Sequence, residues 1–68
     1  MVKIFKTNVE TTDEAFFILR ELNQLYIGHI NFDLDDRDRI LRIEATNYSS
    51  LDIIKTFENL GFNCVEIH

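Results

Sequence analysis

The chain has 68 residues and a formal net charge of −5, which is one domain's worth of sequence with no room for a second core. Nucleic acid and anionic membrane are excluded as expected partners, because both need clustered Lys and Arg. A single cysteine, Cys64, excludes an internal disulfide, and no apolar run has the length of a signal peptide or a membrane span, so the expected location is the cytoplasm.

Val2–Thr7, VKIFKT, reads as a strand with Val2 and Ile4 on one face and Lys3 and Phe5 on the other. Asn8–Glu10 is a short loop. Thr11-Thr12-Asp13-Glu14 has the form of a capping box, with Asp13 and Glu14 at the positive end of the helix dipole. Ala15, Ile18, Leu19, Leu22 and Leu25 then mark one face of an α-helix ending near Gln24–Tyr26. Phe16 and Phe17 widen that apolar stripe, and Arg20, Glu21, Asn23 and Gln24 form its wet side.

A β-hairpin occupies the middle of the chain. Ile30, Phe32 and Leu34 alternate with polar residues in Ile27–Leu34, and Leu41, Ile43 and Ala45 do so in Ile40–Ala45. Asp35-Asp36-Arg37-Asp38 is the turn. After a polar break at Asn47–Ser50, Ser49 is a good N-cap with Asp52 three residues on, and Tyr48 can act as a hydrophobic staple on Ile53. Ile53, Ile54, Phe57 and Leu60 give a second apolar helix face, and Gly61 sits where a left-handed C-cap belongs. Phe62–Ile67, with Cys64 inside it, is the last strand.

The order βαββαβ predicts an α+β fold of ferredoxin-like type, a four-stranded antiparallel sheet with two helices on one face and the other face open to solvent. The alternative is a small α+β domain whose last strand is unpaired. Phe5, Ile40 and Val65 are candidates for the open face, depending on register. An apolar open face more often marks a protein contact than an RNA platform, and no RNP-like aromatic motif is present.

The helix positions Ala15, Ile18, Leu19 and Leu22 and the stretch Asn59-Leu60-Gly61-Phe62 match a known pattern. With the element order and length, they resemble the heavy-metal-associated domain of small copper chaperones and metal-transporting ATPases. The resemblance spans residues 1–68. That family's MTCxxC motif falls on Lys6–Thr11, where Thr7 alone matches and the two cysteine positions hold Asn8 and Thr11. Aligning on the strand alternation instead puts them at Val9 and Thr12. Cu(I) is soft and is held by thiolates, which an amide and a hydroxyl do not replace. The resemblance therefore implies the fold, with Thr7 as a structural loop residue, and not the family's metal transfer.

Other constellations read blandly. Cys64 has the burial preference of a core cysteine. A metal site would need it to meet His68, four residues on and about 13 Å away in an extended strand, or His29, which alternation places on the exposed sheet face. Asp33 to Glu44 has the length of an EF-hand loop, but Arg37 and Arg39 occupy ligand positions and Asp38 stands where glycine is required. Those Asp and Arg side chains are expected to pair across the hairpin. No catalytic set assembles, and the phosphate-cradling loop of an acylphosphatase-like enzyme is missing. The expectation is a non-enzymatic binding module without a cofactor. The alternatives are a metal carrier using Cys64 and a histidine, or a small enzyme of acylphosphatase shape. The last strand, with Phe62, Val65 and Ile67 and little charge, is the expected contact for a partner or a weak homodimer.

Overall fold

The computed structural model describes residues 2–68. Its elements are β1 (Val2–Thr7), α1 (Thr12–Leu25), β2 (Gly28–Asp33), β3 (Ile40–Ala45), α2 (Ser50–Asn59) and β4 (Cys64–Ile67). The strands form one antiparallel sheet in the order β2-β3-β1-β4, and the architecture is the ferredoxin-like one. β4 is paired with β1, so the version with an unpaired last strand does not occur.

Register assigns the two faces. Phe5 lies opposite Leu41, Lys3 opposite Ile43, and Phe32 opposite Leu41 on the other side. These residues share the face covered by the helices, where Phe5, Leu41 and Ile43 close on Ile18 and Leu22 of α1 and Ile53 and Phe57 of α2. Phe5 is 0% exposed, so it belongs to the core and not to the open face. A ring of that size is worth about 2–3 kcal/mol in burial, and the smaller Ile4 takes the solvent side. Ile40 does lie on the open face by parity, yet it is buried.

Each helix begins where its hydrogen bonds permit. Thr11 and Ser49 both complete capping boxes, with Glu14 and Asp52 returning the bond to the cap backbone. α2 ends in a Schellman motif, in which the Phe62 N–H donates to the Phe57 carbonyl at 2.8 Å and the Gly61 N–H to that of Glu58 at 3.1 Å. Gly61 carries φ 91°, a conformation that glycine adopts freely. This motif takes Phe62 out of the strand, and β4 starts only at Cys64. Phe62 is half-buried against the core rather than available to a partner.

The first helix departs from its expected stripe. Leu25 and Phe16 are exposed, and Glu21 is half-buried. Ile27, placed in a strand by its sequence, lies outside β2 and is 87% exposed. Gly28 opens that strand opposite Ala45, where a Cβ would come to 2.1 Å from the Glu44 carbonyl oxygen, so the position takes glycine. The hairpin acids do not pair with arginines among the described residues. Instead, Asp33 and Asp36 accept from the backbone N–H groups of Asp35 and Asp38, at 3.2 and 2.8 Å, and the Arg39 guanidinium donates to the Leu34 carbonyl at 2.8 Å. Local side-chain to backbone bonds win because they order fewer atoms than a cross-strand ion pair of exposed chains.

Leu22 is fully buried and Gln24 exposed on the same helix. Leu22→Ala is expected to cost about 2–5 kcal/mol in chemical denaturation, and Gln24→Ala less than about 0.5 kcal/mol. Equal effects would mean that the buried face of α1 is misassigned.

Candidate functional site

The loop from Thr7 to Thr11 joins β1 to α1 and carries Asn8, Val9 and Thr11. The side chains of Thr7, Asn8, Val9 and Thr11 are all engaged in folding. The Thr7 hydroxyl donates to the Arg39 carbonyl at 2.6 Å and accepts from the Val9 N–H at 3.2 Å. Asn8 Oδ1 accepts from the Asn63 N–H at 2.8 Å, and the Asn8 N–H donates to the Asn63 carbonyl at 3.3 Å, which prolongs the β1–β4 ladder. Val9 is fully buried in the core. Thr11 caps α1. Two backbone amides at the mouth of the helix are also occupied. Glu14 Oε1 accepts from the Glu10 and Thr11 N–H groups at 3.0 and 3.1 Å. Those two bonds, Glu10 first, hold the Glu14 carboxyl below its usual value of 4.5.

The structure does not bring the three candidate metal ligands together. Cys64 is buried on the helix-covered face, paired in register with Thr7. His29 lies on the open face of β2, at the opposite edge of the sheet. His68 follows Ile67 at the other end of β4. Burial, and then the negative charge of Glu58, push the Cys64 thiol up to about 12. Among the described residues, no three His, Cys, Asp or Glu side chains gather as a cation would require.

A polar chain not apparent from the sequence crosses the other end of the covered face. Lys3 Nζ donates to the Ser50 hydroxyl at 2.9 Å, and that hydroxyl donates to Glu66 Oε1. The same ammonium lies 5.5 Å from the ring centre of Tyr48, whose hydroxyl donates to the Ile43 carbonyl at 3.3 Å. Desolvation and the nearby Glu66 and Glu44 raise the Tyr48 hydroxyl above its usual value. Lys3 and Glu66 share the helix side of the sheet, while Ser50 opens α2, so the chain ties the start of that helix to β1 and β4. The parity of Lys3 with Phe5 was the available signal. What the sequence could not supply was the position of Ser50 above them.

The open face divides into two halves. On the β2–β3 side it presents His29, Asn31, Asp33, Arg42 and Glu44. On the β1–β4 side it presents Val2, Ile4, Val65 and Ile67, with Ile4 directly opposite Ile67 and Lys6 opposite Val65. Val65 is 64% and Ile67 37% exposed. β4 is an edge strand. Its solvent-side residues are aliphatic, and its one charge, Glu66, points to the covered face.

The sequence matches no protein-family model and no curated protein. Among the described residues, no helix is long and apolar enough to cross a membrane.

Two outcomes follow from the site's ionisation. Because its thiol is protonated and buried, Cys64 is expected to react with iodoacetamide at pH 8 at least tenfold more slowly in the native protein than in denaturant. Equal rates, read by mass spectrometry, would place the thiol in solvent. Glu14 has a lowered folded value, so the stability it adds is present above about pH 4.5 and is lost as pH falls through that lower value. Glu14→Ala should therefore lie below wild type at neutral pH, with the gap closing in acid. A gap that widens in acid would reverse the assignment.

Proposed function

We propose that this chain is a small non-enzymatic interaction module with the shape of a heavy-metal-associated domain, its soft-metal loop given over to folding contacts. The observation that carries the reading is the aliphatic strip of the open sheet face, running from Val2 and Ile4 to Val65 and Ile67 on the solvent side of β4, with Lys6 beside Val65. Unpaired N–H and C=O groups recruit another strand unless lysine, proline or a bulge protects the edge, and β4 has no such residue. A second copy could add its own β4 about a two-fold axis, continuing the sheet and joining the two aliphatic strips.

Magnitude sets the strength of that contact. A stable interface buries about 800 Å² per partner. The whole chain exposes 4553 Å². A four-residue strand spans only about 13 Å, so edge pairing with a few aliphatic contacts falls short of that area and gives a weak, concentration-dependent dimer.

Sedimentation across a concentration series up to about millimolar is expected to show reversible association, weakened at least tenfold by Val65→Lys. A strictly monomeric protein throughout that range would remove the dimer. Titration with Cu(I), Zn(II) and Ni(II) under reducing conditions tests the other half of the proposal. No stoichiometric binding is expected, and a Kd below about micromolar would instead make the chain a metal carrier, with Cys64 or a histidine as the first residues to replace.

A further inference from the structure

The edge opposite β4 is built differently. β2 is the outermost strand there, and its outer backbone edge has no neighbour in the sheet. α1 runs beside it, and the two enclose an open groove of about 340 Å³. Ala15, Leu19, Phe32 and Leu34 give the groove apolar walls, and Phe16, 69% exposed, stands as its lip. Asp33 and Asp35 border it, and no lysine or arginine is among its lining residues. Arg20 lies on the far side of Phe16, with Asp13 and Phe17.

An apolar groove beside an unpaired strand edge serves strand addition. The incoming backbone bonds to the edge, and alternate side chains enter the groove. In this fold the helix-side residues of β2 are Ile30 and Phe32, so the side chains of an added strand on that same side would drop between Phe32 and Phe16. Those on the other side would lie beside Asn31 and Asp33 on the open face. We propose that the α1–β2 groove accepts an extended segment of a partner protein in which aliphatic residues alternate with lysine or arginine. Charge selects this occupant. The two bordering carboxylates and the net charge of −5 favour a cationic strand and repel an acidic one. The same charges oppose a second copy at this edge, since pairing β2 with itself would gather Asp33 and Asp35 from both chains. β2 is six residues long, about 20 Å, which fits a partner segment of about six to eight residues.

The probe is a nine-residue peptide alternating isoleucine and lysine, N-methylated on the amides of one edge so that it cannot aggregate. In an NMR titration it is expected to shift the amides of Gly28–Asp33 and of the Phe16 and Leu19 region, with a Kd below about 1 mM. Asp35→Lys, at an exposed position, should weaken binding at least tenfold, as should raising salt from about 20 to 500 mM on the unaltered protein. A twin peptide methylated on both edges should not bind. The proposal is overturned by equal binding of that twin, by equal binding of a peptide with glutamate for lysine, by shifts centred on β4, or by no shifts at about millimolar peptide. This edge is separate from β4, so the result is independent of the state found by sedimentation.

Discussion

Two helices can cover only one face of a four-stranded sheet, and that limit shapes the rest of the molecule. The covered face places Phe5, Leu41 and Ile43, all fully buried, against Phe57 of α2, because a chain this short must use the space that both helices reach. Part of the apolar surface that remains lies on the open face and at the two edges. The edges have been treated differently. The β2 side carries Asp33, Asp35 and a helix-lined groove, whereas the solvent side of β4 carries the aliphatic Val65 and Ile67 beside Lys6 and no carboxylate. A single packing constraint thus produces two surfaces of opposite character on one small domain.

Polar contacts then lock what burial only approximately positions. Lys3, Ser50 and Glu66 hold the start of α2 over β1 and β4, and Thr7 with Asp38 and Arg39 holds the hairpin turn against the end of β1. A salt bridge of 3.9 Å from Lys6 to Asp38 adds to the second of these. Exposed ion pairs contribute at most about 1 kcal/mol, so the backbone bonds of Thr7 matter more there than the charges do. None of these links is local in sequence.

That distinction accounts for what could be read from the chain alone. Helix starts, the Gly61 stop and the strand alternation depend on residues within a few positions of each other, and they were legible. So was the buried state of Cys64, since a small apolar thiol inside a strand follows the core. The parity of the first strand was not decidable locally. VKIFKT offers Val2 and Ile4 to one side and Phe5 to the other, and only the space under two helices decides for the ring. Lys3 follows Phe5 inward because its long stem reaches the rim at Ser50. The hairpin acids misled in the opposite direction, since the turn's own amides were nearer than any arginine. The groove beside Phe16 was hidden because adjacent phenylalanines look like a broad helix face until β2 lies next to them.

The loop after β1 resists a change of chemistry. A cysteine at position 8 would strip the Asn63 amide of its acceptor, and one at position 11 would remove the hydroxyl that starts α1. Each loss costs about 0.5–2 kcal/mol, a sizeable share of what a domain this small can hold in reserve. Placing a thiolate pair at these two positions is therefore uphill at both steps before any ion is gained. The contacts that close the loop act as a latch, keeping this end of the molecule devoted to its own architecture and leaving the sheet's borders as the surfaces free to take on affinities.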